Sequence, residues 1–188
     1  MKHYALLLCL GLAACGGENP APSAVSAPVA ASATTQAASP PIALPTLNMD
    51  FSSYAKAANK QLKTSKTGLT IPESAFPTPN SNGGKNMLHD LADGLTLAVE
   101  TDSDNKIQIV RVIWQPEKNP KQNQQLVKGA AALIAATLPD DPTMPKDVAA
   151  QINLAATSKD AREFVRGGIA YKVASTNQPS VMLTAKPE

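Results

Sequence analysis

Apolar positions at helical spacing begin the part of the chain that predicts a folded domain. Over residues 51–62 apolar side chains recur every three or four positions, and Asp50 or Ser52 is placed to cap the start of a helix there. The pattern predicts a first helix that ends before Gly68. Residues 72–86 are rich in Pro, Asn and Gly and predict a loop.

Three antiparallel strands are predicted after this loop. Residues 88–91 are separated from the alternating segment 95–100 by an Asp-Gly turn at 93–94, and a polar loop leads to the β-branched segment 107–114. Within the last segment the apolar positions change phase. Either both faces are covered, or a β-bulge near 109–110 shifts the register.

Two further helices are predicted from start signals and apolar stripes. Asn119 followed by Pro120 marks the first start, and the apolar stripe continues to Leu138. The second helix is expected over about 145–154. The periodicity of residues 158–166 fits a short helix as well as a strand.

Two final strands complete the pattern. Residues 169–173 alternate, a turn follows, and 181–184 are apolar and β-branched. The order of helix, strand meander, two helices and strand hairpin predicts a single α+β domain over residues 47–188. In it an antiparallel sheet of about five strands packs on one side against two or three helices. The uncovered side of that sheet is a candidate binding face with Trp114 and Tyr171 as anchors, although core positions for both are the favoured hypothesis.

A short apolar segment with one positive charge precedes all of this. Lys2 is followed by an apolar run from Ala5 to Ala14, broken only by Gly11. About ten residues span ~15 Å as a helix, half of a ~30 Å hydrocarbon core. The run therefore predicts a signal peptide over residues 1–14 and not a membrane span.

The signal peptide ends on Leu12-Ala13-Ala14-Cys15. This order resembles the lipobox of bacterial lipoproteins, an aliphatic residue and two small residues before a cysteine. The resemblance implies cleavage before Cys15, a diacylglycerol on its sulfur, and acylation of the new amine by a fatty acid such as palmitate. Two or three acyl chains make such an anchor durable. Gly16 stands where an Asp would favour the inner membrane, so the resemblance implies the outer membrane of a Gram-negative cell, with the domain in the periplasm or at the cell surface.

Residues 15–46, which begin with the lipidated cysteine, predict a tether. Of the 29 residues from 18 to 46, 22 are Pro, Ala, Ser or Thr, and Glu18 carries the only charge. Scattered prolines would interrupt any helix, so the segment predicts a disordered, partly polyproline linker. As a coil it spans ~30 Å, and fully stretched it approaches ~90 Å.

Charge and cysteine usage exclude several classes of function. The 17 basic and 15 acidic residues leave a net charge of +2, too small to predict nucleic-acid binding. Both cysteines, Cys9 and Cys15, lie within the first fifteen residues, and His3 and His89 are the only histidines. No disulfide framework, no Cys/His zinc site and no cofactor are therefore expected in the domain.

Acidic residues in the domain raise two catalytic or metal-binding hypotheses. The segment 102–106 begins like a calcium loop, but Lys106 and Ile107 break the ligand pattern, so a hairpin loop is expected. Paired carboxylates, which glycosidases use, occur as Asp102 with Asp104 and Asp140 with Asp141. Both pairs lie in turn-rich segments, where Asp is expected for backbone reasons.

The remaining polar candidates are weaker. His89 is close in sequence to Asp90 and Asp93, but the chain has no nucleophile-elbow pattern, so a surface histidine or a structural one with satisfied hydrogen bonds is expected. A basic cluster of three residues has acidic neighbours and predicts a solvated face: Lys159, Arg162 and Arg166.

These observations leave two hypotheses for function. The first is a lipid-anchored envelope lipoprotein whose non-enzymatic domain binds a protein or an envelope polymer, for example as an inhibitor or immunity-type module. The second is a tethered cell-wall hydrolase that uses paired carboxylates, which would need a cleft with convergent acidic groups. The first hypothesis is favoured, and the lipid bilayer, reached through Cys15, is the only partner that the sequence names.

Overall fold

Three helices and seven strands make up the residues that the computed structural model describes, which are 44–72, 77–176 and 179–188. The signal peptide 1–14, Cys15 and residues 16–43 of the predicted tether lie outside the described residues. Within the described ranges no helix has the length and apolar content needed to span a bilayer. The elements are α1 (Phe51–Thr64), β1 (Thr78–Pro79), β2 (Lys85–Ala92), β3 (Leu95–Thr101), β4 (Ile107–Trp114), α2 (Pro120–Ala135), α3 (Met144–Ser158), β5 (Arg162–Arg166), β6 (Ile169–Ser175) and β7 (Val181–Pro187).

The strands form one antiparallel sheet in the order β1-β2-β3-β4-β7-β6-β5. Two meanders, β2 to β4 and β5 to β7, are joined by the crossover through α2 and α3. The crossover places β4 beside β7 at the middle of the sheet. The fold is α+β, as the pattern of elements predicts.

The sheet has seven strands, so the expectation of about five was too low. One extra strand is β1, which lies inside the predicted loop 72–86, where Thr78 and Pro79 pair with Asn86 and Lys85. Two residues cannot show a period, and proline is tolerated only at the edge of a sheet, so the sequence could not reveal this strand.

The other extra strand is β5, in the segment 158–166 that periodicity left open. α3 continues to Ser158 and ends at Lys159, whose φ of 60° lies in the left-handed region. Residues 162–166 then pair with β6 at the outer edge of the sheet. Pairing with a neighbouring strand, and not local pattern, decides the conformation here.

All three helices cover the same side of the sheet. Alternate residues of β3, β6 and β7 are buried beneath them, while the intervening side chains on the opposite side stay partly exposed. α2 lies between α1 and α3 and packs on β3, β4 and β7. Its residues 129–135 are all buried, because the sheet lies below this helix and another helix lies on each flank.

A β-bulge explains the change of phase in β4. Glu100 pairs with Ile109 and Thr101 pairs with Ile107, which leaves Gln108 as an extra residue. Ile107 and Val110 can therefore both face the helices. Of the two alternatives that the sequence left open, the bulge is the one observed, slightly before the expected position.

The predicted helix starts are confirmed at two caps. The Asp50 carboxylate accepts a hydrogen bond from the Ser53 amide at 2.7 Å, and this bond is the main cause that lowers the pKa of Asp50. The Asn119 side chain accepts from the amides of Lys121 and Gln122. Such caps satisfy amide groups that would otherwise have no partner within the helix.

Candidate functional site

The first acidic pair, Asp102 and Asp104, lies in the hairpin loop between β3 and β4. One Asp102 oxygen accepts hydrogen bonds from the amides of Asp104 and Lys106, at 2.9 and 2.8 Å. The carboxylate therefore stabilises the turn by a local side-chain hydrogen bond. No group of three or more potential metal ligands occurs in the part of the chain that the structure describes.

The second acidic pair lies between α2 and α3, where Asp141 has three partners. Its Oδ1 accepts from the amide and the hydroxyl of Thr143, and its Oδ2 lies 2.5 Å from Nε of Arg166. Desolvation acts to raise the pKa of Asp141, but the Thr143 hydrogen bonds and the Arg166 charge together outweigh it and lower the pKa. Arg166 also binds Asp147 at 2.6 Å, so Asp141 belongs to an ion-pair network that joins the start of α3 to β5. Asp140 is exposed and takes part in none of the ion pairs found within the described ranges.

His89 is a core residue beneath α1. Its ring stacks on Phe51 with centroids 5.6 Å apart and planes 2° apart, and the side chain is buried. Burial lowers the pKa of His89, which favours the neutral imidazole. The position is structural, as expected, but the expected hydrogen-bond satisfaction is incomplete, because Nε2 of His89 is buried without a hydrogen-bond partner among the described residues.

The two proposed aromatic anchors are both core residues, so their assignment to a binding face is wrong and the core alternative is correct. Trp114 and Tyr171 are each 2% exposed and face the helices. The Tyr171 hydroxyl lies 3.0 Å from that of Thr137 at the end of α2. Because side chains alternate along a strand, each aromatic residue on β4 or β6 lies on only one face of the sheet. For Trp114 and Tyr171 this is the face that the helices cover.

The uncovered side of the sheet has a mixed surface. Leu88 is 66% exposed and Val165 is 53% exposed, at opposite ends of the sheet. Between them lie the ion pairs of Glu100 with Arg111 and Glu163 with Lys172. Charged pairs on β3, β4, β5 and β6 therefore interrupt this face between the two exposed apolar side chains.

The helical side carries a different feature, a groove of about 800 Å³ over α2. The end of α1 forms one wall, the start of α3 forms the other, and the exposed ridge of α2 runs between them. We call it the lysine groove, because four exposed lysines line it. The full lining is Thr64, Ser65, Lys66, Lys121, Gln124, Gln125, Lys128, Ala131, Pro145, Lys146 and Ala149.

The charge of this groove is uncompensated. Its lining includes no carboxylate, and none of its four lysines takes part in the ion pairs found within the described ranges. α1 and α2 together contain five lysines and no acidic residue: Lys56, Lys60, Lys63, Lys121 and Lys128. The small net charge of the whole chain therefore conceals a basic helical side.

Sequence reasoning missed the lysine groove, since it weighed only Lys159, Arg162 and Arg166 as a basic cluster. The sequence did contain a signal for it, because two of the predicted helices carry lysines and not a single carboxylate. What the pattern could not show is that these helices are neighbours. Their packing brings lysines from separate parts of the chain to one groove.

The predicted lipidation site, Cys15, lies outside the described residues. Comparison with protein-family models, with curated proteins and with solved structures finds no match for this chain. The function therefore has to be argued from the residues themselves.

Proposed function

We propose that this chain is a lipid-anchored envelope lipoprotein whose α+β domain acts by binding and not by catalysis. The observation that carries the proposal is the order Leu12-Ala13-Ala14-Cys15 at the end of the apolar run. A thiol at this position is the acceptor that lipoprotein processing requires, and a multiply acylated terminus holds a protein on a bilayer durably. Gly16 supports sorting to the outer membrane.

The geometry of the domain supports binding over hydrolysis. A hydrolase with paired carboxylates needs one acid and one base that converge on an open cleft. Asp102 accepts hydrogen bonds within its own turn, and Asp141 is held by Thr143 and Arg166. The lysine groove is lined by four lysines and by uncharged side chains, which suits recognition of a negatively charged partner.

The anchor is tested by replacing Cys15 with Ala in the native host. We expect the variant to leave the detergent phase on phase partitioning and to accumulate as a precursor that keeps its signal peptide, because the acyl acceptor is lost. Cys9→Ala is the matched control, since it removes the other thiol from the same leader without changing the lipobox. This control should be processed and partitioned like the parent chain.

Intact-mass measurement of the native mature chain supplies the second readout. The proposal expects a polypeptide that begins at Cys15 and carries added acyl mass. A mature chain without that mass would refute the anchor, as would equal detergent partitioning of Cys15→Ala and the parent.

A further inference from the structure

We propose that the lysine groove binds an acidic polypeptide segment of a partner protein. The inference deepens the proposed binding function and rests on it for its biological setting, but its chemistry depends only on the described domain. Four exposed ammonium groups without carboxylate partners converge on one concave surface. Several positive charges along one concave surface favour a partner that supplies several negative charges at matching spacing.

The shape of the groove fits a peptide. Along α2 its lining residues lie at helical spacing from Lys121 to Ala131, a length of ~15 Å. Lys128 is exposed, whereas Ala131 is only 2% exposed and lies deep in the groove. A segment with small apolar and acidic side chains can lie over the partly exposed Ala149 while its carboxylates reach the lysines, whose long stems adapt to it.

A phosphate ligand is less well served by this groove. Lysine also binds phosphate, but phosphate sites in proteins typically add free amides at helix starts or the planar guanidinium of arginine. The amides of Lys121 and Gln122 already donate to Asn119, and those of Lys146 and Asp147 donate to the Thr143 carbonyl. No arginine lines the groove.

Other occupants fit less well. A flat bilayer would contact the rim lysines and leave the concave part of the groove uncovered. The chain's own segment from 18 to 46 carries only Glu18 and cannot neutralise four lysines. A second copy could offer its acidic hairpin loop at 102–104, which would appear as self-association sensitive to salt.

The test uses the purified full-length chain in detergent and a fluorescent peptide of alternating Glu and Ala, ~16 residues long. Anisotropy should rise on binding and fall as salt is added, because exposed charges are screened. Replacing all four groove lysines with Gln should lower the affinity for the peptide by about tenfold or more. A peptide with Gln in place of Glu should not bind.

A charge-matched variant separates local recognition from overall charge. It replaces four lysines elsewhere with Gln, at Lys85, Lys106, Lys159 and Lys186, and should keep affinity within about twofold of the parent. Unfolding curves of the two variants serve as the control that both of them fold.

Several results would overturn the proposal. These are an absence of peptide binding, equal weakening by both variants, or tighter binding to polyphosphate or to phosphatidylglycerol vesicles of equal charge. Salt-sensitive dimerisation that blocks peptide binding would also overturn it, because the occupant of the lysine groove would then be a second copy of this chain. Because none of these measurements depends on acylation of Cys15, they can fail while the anchor holds, and the reverse.

Discussion

Two adjacent glycines in the turn between β1 and β2 should respond very differently to the same substitution. A methyl group at Gly84 would lie 1.9 Å from the carbonyl oxygen of Thr101 and 2.6 Å from the carbonyl carbon of Asp102. At Gly83 nothing lies within 4 Å of the same atom, but φ is +76°. We therefore expect Gly84→Ala to cause a collision between backbones, and Gly83→Ala to cause only local strain.

The cost at Gly84 can be estimated from the bonds that separation would break. A relaxed contact between carbon and oxygen is about 3.3 Å, so the two backbones must move apart by roughly 1.4 Å. That movement threatens the Lys85 amide bond to the Thr101 hydroxyl (3.1 Å) and the Asn80 side-chain bond to the Thr101 carbonyl (2.8 Å). At about 1 kcal/mol each, with distortion of the turn added, the free energy of unfolding should fall by about 3 kcal/mol.

Urea unfolding followed by far-UV circular dichroism measures this difference. A loss of about 3 kcal/mol shifts the midpoint by roughly 1–3 M for typical urea slopes. Gly83→Ala is the matched control, and left-handed strain there should cost only about 1–2 kcal/mol. The reasoning is refuted if Gly84→Ala stays within about 0.5 kcal/mol of the parent, or if it is no less stable than Gly83→Ala.

Two further predictions concern buried polar side chains. Burial lowers the pKa of His89 from its ordinary value near 6.5. As the pH decreases through that value, the unfolded chain binds more protons than the folded chain, so the free energy of unfolding decreases as the pH decreases. The slope is at most about 1.4 kcal/mol per pH unit, and His89→Phe, which keeps the ring stacked on Phe51, should reduce it in urea titrations between pH 7.5 and 5; an unchanged slope would contradict this. The Tyr54 hydroxyl donates to the Leu133 carbonyl at 2.9 Å inside the core, so Tyr54→Phe should cost about 1–3 kcal/mol in urea unfolding, and a neutral effect would show that the carbonyl finds another donor.

The elements with strong local signals were predictable from sequence. The caps at Asp50 and Asn119, the hairpin turn at 93–94 and the alternation of β3 all appear in the structure as expected. Each depends on interactions within a few residues, such as a side chain that caps nearby amides. The α+β class follows from the order of these elements, which requires no knowledge of their contacts.

Elements that depend on a distant partner were not predictable in this way. β1 and β5 are strands because they pair with β2 and β6, and neither segment has a period that distinguishes it. The apolar positions of β4 change phase along the strand, and the sequence left two explanations open: both faces of the sheet are covered, or a bulge shifts the register. The pairing with β3 shows the bulge. In each case the energy that selects the conformation comes from hydrogen bonds to another part of the chain.

The amino-acid order alone predicts a leader and a lipidation motif that ends at Cys15, and it indicates the α+β class of the domain, because those features are read from the order of residues along the chain. The tertiary structure decided which charged groups act together. It engages Asp102 and Asp141 in turns and an ion pair, and it brings Lys66, Lys121 and Lys146 to one groove. Electrostatic attraction depends on distance in space, and residues 80 positions apart become neighbours only when helices pack.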